Sequence, residues 1–166
     1  MIVAVLLVTA GCIGSTGPEA DTERPTESGS VDVTSNVTIH PYPQLPSTLT
    51  NETAVEYART YERAHAQRQA LNESQNVSGS LETVQISIET AVATKTADGG
   101  YIVRLDYAVG LQIELPDGKV VASDHVVLVD YYLNETTALR AVAPTANGPV
   151  PDPRTNGTVI AQRSQN

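Results

Sequence analysis

Tyr101-Ile-Val103-Arg-Leu105-Asp-Tyr107-Ala-Val109-Gly-Leu111-Gln-Ile113-Glu-Leu115 reads with a period of two. The odd positions are apolar, while Arg104, Asp106, Gly110, Gln112 and Glu114 fall between them. Successive side chains of a strand point to opposite faces, so this stretch predicts a strand with one buried face. The same period precedes it, with Val84, Ile86, Ile88, Thr90 and Val92 on one face and Gln85, Ser87, Glu89 and Ala91 on the other. Asp98-Gly99-Gly100 between the two runs is a hairpin signal. Pro116-Asp117-Gly118-Lys119 predicts a second turn, with Pro presetting φ and Gly supplying a positive φ. A third, less regular strand is expected over 120–133, central or bulged near Asp124 because Val126 to Val129 is apolar on both faces. Asn134-Glu135-Thr136 then turns the chain into a short fourth strand, 137–143.

Upstream the period is helical. Thr50 or Asn51 caps a helix beginning at Glu52, whose carboxylate suits the positive end of the helix dipole. Ala54, Ala58, Tyr61, His65 and Arg68 form one stripe, with Tyr57, Ala64 and Leu71 beside it. Glu56, Arg59, Glu62 and Arg63 are expected on the opposite, solvated side. The helix should end near Asn72. The fold class is therefore α+β: one long N-terminal helix covering the apolar face of a four-stranded antiparallel meander over residues 50–143. This element order resembles cystatin-like and NTF2-like domains, in which a curved sheet wraps a helix. The single helix favours the cystatin-like version. The resemblance implies that the concave sheet face can hold a small-ligand pocket, and Tyr61 and His65 are the candidate lining residues.

The chain has 166 residues, enough for one ordinary domain with tails. With no Phe or Trp and seven Tyr, its core must be Val, Ile, Leu, Ala and Tyr rings. The net charge of -9 argues against a phosphate-binding surface, so nucleic acid is not an expected partner. Two lysines against eight arginines, with excess acid, resemble the composition of salt-loving archaea. An acidic protein of ordinary habitat is the alternative. One cysteine excludes an intrachain disulfide framework and Cys-rich metal sites.

That cysteine closes a telling stretch. Residues 2–10 are uncharged and largely apolar, and Val8-Thr9-Ala10-Gly11-Cys12 resembles a lipoprotein box. Residues 1–12 are thus expected to be a signal peptide ending at the lipidated Cys12, which would anchor the protein at the outer face of the cytoplasmic membrane. No basic residue precedes the apolar run, which departs from the usual signal, and an upstream start would supply it. A short buried strand with a core thiol is the alternative. Residues 13–49 are rich in Ser, Thr, Gly, Pro, Asp and Glu and are expected to be a disordered tether, on the order of 30 to 35 Å long. Residues 144–166, rich in Pro, Asn and Gly, are expected to be a loose tail, with docking of Val159-Ile160-Ala161 as an edge strand the less favoured reading. Lipobox, acidic Thr-rich tether and small α+β domain together resemble haloarchaeal surface lipoproteins, which implies a location and no activity. Asn36, Asn51, Asn72, Asn76, Asn134 and Asn156 head Asn-x-Ser/Thr sequons and are N-glycosylation candidates in an exported protein.

Catalytic motifs do not emerge. There is no His pair at i, i+4, no Gly-x-Ser-x-Gly elbow and no Gly-rich phosphate loop. Asp117-Gly118 lacks the alternating acids of a calcium loop. No metal and no cofactor is implied. Asp124 and His125 are neighbours on a strand and should face opposite ways. Glu62, Asp106 and Asp130 are expected to be solvated or paired rather than general acids. Two readings follow: a lipid-anchored binding or envelope module with an envelope protein or small ligand as partner, and a small enzyme using His65 beside a carboxylate between helix and sheet.

Overall fold

The computed structural model describes residues 31–34, 37–74 and 79–163. The expected signal peptide with Cys12, and Asn36 and Asn76, lie outside them. Eight elements follow in order: β1 (Val31–Thr34), α1 (Asn51–Ser74), β2 (Ser80–Lys95), β3 (Tyr101–Glu114), β4 (Val120–Leu133), β5 (Thr137–Val142), α2 (Pro153–Asn156) and β6 (Thr158–Gln162). The six strands form one antiparallel sheet in sequence order, and α1 packs across β2 and β3. The class is α+β, as expected. The four expected strands are all present as β2 to β5, but the sheet is wider by one strand at each edge. β1, inside the stretch expected to be tether, pairs Val31 with Ser87 and Thr34 with Val84. β6 pairs with β5 from Thr158 to Gln162, so the tail docks by its Val159-Ile160-Ala161 segment instead of hanging loose.

The start of α1 follows from its cap. Thr50 Oγ1 accepts from the Thr53 amide at 3.1 Å, and Thr53 Oγ1 accepts from the Thr50 amide at 2.9 Å. This is a reciprocal capping box with Thr in the usual place of Glu or Gln. Both hairpin turns are built alike. Thr96 N–H donates to Gly100 O and Gly99 N–H to Thr96 O, while Leu115 and Gly118 repeat the pair at the other end. Gly99 and Gly118 stand at φ 86° and 79°, which a type I turn followed by a bulge requires.

β3 and β4 pair without a register shift from Tyr101↔Leu133 to Glu114↔Val120. The bulge expected near Asp124 is absent; register shifts occur instead in β2, at Glu82 and Glu89, and in β6, at Ile160. Each extra residue turns the strand over. Val84, Ile86 and Ile88 face the helix, but past Glu89 the inward positions become Ala91 and Ala93. Val92, expected inside, is 60% exposed. The core joins these residues to Val103, Leu105, Tyr107, Val109, Val129, Tyr131 and Leu133 of the sheet and to Ala54, Tyr57, Ala58 and Tyr61 of the helix.

The folded unit also begins before residue 50. Val37, Leu45 and Leu49 pack against the core. Arg163, just past β6, donates to the carbonyls of Leu45, Pro46 and Glu135, at 3.2, 3.1 and 2.9 Å. One side chain thereby holds the segment before α1, the β4–β5 turn and the end of β6 together.

Candidate functional site

Glu62 sits at the middle of α1, on the side that the sequence placed in solvent; it is wholly buried. Its position explains why. Ala54, Ala58, Ala66 and Ala70 are four residues apart on either side of it, and all are buried. A ladder of methyl groups lets the helix approach the sheet closely, and Glu62 enters with it. The carboxylate meets three sheet side chains. Tyr107 of β3 donates to Oε2 at 2.8 Å, and Tyr131 of β4 donates to Oε1 at 2.6 Å. Arg140 of β5 donates through Nε to Oε1 at 2.5 Å and through Nη2 to Oε2 at 3.3 Å. Each oxygen thus accepts two hydrogen bonds, the full capacity of a carboxylate. Burial, then the neighbouring Glu62 charge, pushes the Tyr107 and Tyr131 hydroxyls well above the usual phenol range. Burial works against the Arg140 charge, but Glu62 outweighs it and the guanidinium is held above its ordinary value.

A cavity of about 290 Å³ opens beside this network. The helix contributes His65, Gln69, Ala70 and Glu73 to its wall, and the sheet contributes Val109, Leu111, His125, Val127 and Arg140. His125 reaches it from β4, while its neighbour Asp124 lines a groove on the opposite sheet face with Gln85 and Gly110. The two point apart, as strand alternation requires. His65 is half-buried, and its imidazole is held below the usual range by burial, then by the Arg140 charge. Gln69 Nε2 donates to Glu73 at 3.0 Å.

Of the two residues expected to line a pocket, His65 does so. Tyr61 is not among the lining residues. It is the centre of an aromatic stack, with Tyr42 at 4.7 Å, His65 at 5.9 Å and the Tyr131 ring edge-on at 5.9 Å. Tyr42 comes from the segment before α1. The Arg68 guanidinium lies over the Tyr42 ring at 4.1 Å, and the Tyr42 hydroxyl lies 3.5 Å from His65 Nδ1. Burial pushes the Tyr61 hydroxyl above the usual phenol range, and it pushes the Tyr57 hydroxyl up to about 12. Asp130 is buried and paired by Arg104 at 2.8 and 2.6 Å, whereas Asp106 is half-buried on the outer face. Sequence reasoning missed Arg140, Gln69 and His125 as wall residues. The first two lie at ordinary strand and helix positions, and only the register Tyr131↔Arg140 reveals the pairing with Glu62.

The sequons divide. Asn51, Asn72 and Asn156 are exposed. Asn134 is half-buried, and its Oδ1 accepts from the amides of Thr136 and Thr137 at 3.0 and 2.8 Å, so it builds the β4–β5 turn. Among the described residues no cluster of three His, Cys, Asp or Glu side chains is placed to hold a metal, and no helix is long and apolar enough to cross a membrane.

The arrangement defines a class: a helix-on-sheet α+β protein with a saturated buried ion pair and a one-sided cavity next to it. Comparison with family models, with curated proteins and with solved structures finds no match in any of the three.

Proposed function

We propose that the protein is a lipid-anchored, extracytoplasmic binding module whose cavity takes a small amphipathic molecule without performing chemistry on it. The observation that carries the reading is the contrast between the cavity and its floor. The walls offer apolar Val109, Leu111 and Val127 together with the His65 and His125 rings. The nearest carboxylates are already committed, Glu62 to Tyr107, Tyr131 and Arg140 and Glu73 to Gln69. The enzyme alternative needs a carboxylate free to work beside His65, and both nearby carboxylates are engaged. A binding site needs only shape, apolar surface and a few hydrogen-bonding groups. The lowered pKa of His65 keeps its ring neutral near pH 7, an acceptor for a ligand hydroxyl. A cavity of about 290 Å³ has room for a ring with one polar substituent.

The location rests on the sequence, on Val8 to Cys12 and the acidic segment behind it, in the style of haloarchaeal surface lipoproteins. The cystatin-like reading of the domain rests on one helix laid across a meander. Exposed Asn51, Asn72 and Asn156 are the sequons best placed to carry glycans.

Two measurements test the proposal. Native protein should carry added lipid mass and partition into detergent, and Cys12→Ser should do neither; a soluble native form at full-length mass overturns the anchor. Phenol and indole, followed by ligand-observed NMR, should bind the native protein saturably. Val127→Phe should abolish that binding without lowering the melting temperature much. Probes that bind neither form, or both equally, overturn the cavity as the site.

A further inference from the structure

β4 is fourteen residues long, but β5 pairs with only its last five. Pairing runs from Val129↔Val142 to Leu133↔Ala138, and one further bond joins Ala143 N–H to Leu128 O. Among the described residues nothing pairs with the outer edge of β4 from Val120 to Val127. That edge presents a row of unpaired N–H and C=O groups, the feature by which strands from separate chains join. Its side chains are unusually apolar for an open edge: Val120 is 60% exposed, and Val121 and Val126 are each 49% exposed.

The sequence of this edge is its own antiparallel complement. Two copies joined edge to edge in opposite directions are related by a two-fold axis perpendicular to the sheet, so one residue must face its own counterpart. With Ser123 on the axis, Val120 faces Val126 of the second copy, Val121 faces His125, and Ala122 faces Asp124. Paired side chains lie on one face of the joined sheet, and this register keeps them so. Val120 and Val126 are on the face away from α1, Val121 and His125 on the face toward it. All three exposed valines gain a partner, and the single carboxylate of the stretch meets a methyl group. Moving the axis to Asp124 sets that carboxylate against itself, which is unfavourable for directly opposed strand positions. We infer that the protein forms a symmetric dimer in which the Val120–Val126 edges of two copies pair antiparallel about Ser123, making one continuous sheet. This goes beyond the ligand reading and does not depend on it.

Seven paired residues span about 23 Å at roughly 3.3 Å each. An interface of that size falls at the small end for specific association, so the dimer belongs to the weak, micromolar class. Each copy carries a charge of -9, so repulsion opposes pairing and salt should strengthen it.

The test uses the full chain in a Cys12→Ser background, so that Ser123→Cys supplies the sole thiol. Under mild oxidation Ser123→Cys should give a covalent dimer, and a Val92→Cys control, also exposed but on β2, should not. Light scattering at about a hundred micromolar should show the mass doubling as salt is raised. Val126→Lys, at an exposed site that leaves the fold intact by circular dichroism, should return the mass to that of one chain. Monomeric protein with no crosslink at Ser123 overturns the inference, as does a dimer that Val126→Lys leaves unchanged. A dimer that appears only when residues 1–30 are removed overturns it too, and gives the edge to that segment.

Discussion

Glu62 carries a charge into the centre of the molecule, and Arg140 and two phenols meet it there. Removing one member of such a set leaves the others buried and unpaired, which is worse than never having buried them. Glu62→Gln should therefore destabilise by about 3 to 5 kcal/mol in urea unfolding. The double variant with Arg140→Met should lose clearly less than the sum of the two single changes, and simple additivity would mean that the pair does not act as a unit. His65 sets a pH dependence. Its folded pKa is depressed by burial, so the unfolded chain takes up the proton first. The stability it contributes is complete above the unfolded pKa of about 6.5 and is lost as pH falls below that toward the folded value. His65→Gln should flatten the decline of melting temperature between about pH 7 and pH 5. The burial of Glu62 was only half legible in the sequence. The alanines four residues apart name the contact face, but helical periodicity counts a glutamate as solvent-facing unless its partners are known. Those partners are up to 78 positions away in the chain.

At the scale of elements, alternation identified every long strand, and its failures have one cause. Glu89 is an extra residue in β2, and it reverses which side chains reach the core. Nothing in Ile88-Glu89-Thr90-Ala91-Val92 marks the reversal, because Ala91 and Thr90 suit either face. The consequence is an ordering of mutants opposite to the one simple alternation gives. Val92→Asp should change stability by no more than about 0.5 kcal/mol, the usual range for exposed positions. Ala91→Asp, with its side chain turned toward the helix, should cost about 1 to 3 kcal/mol in the same urea assay. The reverse order would place the bulge elsewhere. The turns were fully legible, since Asp-Gly at 98–99 and 117–118 supplies the positive φ that each hairpin needs.

For the molecule as a whole, the sequence showed a helix followed by a meander but not the width of the sheet. β1 and β6 are four and five residues long, too short for a period to appear, and their neighbours are Thr, Ser, Pro and Gly. Their place depends on edges that only the assembled sheet offers. Arg163 makes that dependence measurable, because it ties the end of β6 to Leu45, Pro46 and Glu135. Arg163→Ala should lower amide exchange protection throughout β6 while leaving β3 at the global value. Equal loss in both strands would show that β6 and the central sheet unfold together. The cavity shares this long-range origin, since helix residues 65 to 73 and strand residues 107 to 142 enclose it jointly.

The two phenols bound to Glu62 have an optical consequence. The chain has no tryptophan, so its ultraviolet emission comes from seven tyrosines alone. An excited phenol is a far stronger acid than in its ground state, and one that donates to a carboxylate passes its proton across and goes dark. Tyr107 and Tyr131 should be silent in the native state and light up as the chain opens, so tyrosine fluorescence should rise on denaturation. In Glu62→Gln much of that rise should already be present before denaturant is added, making the buried carboxylate a native quencher that reports on its own integrity.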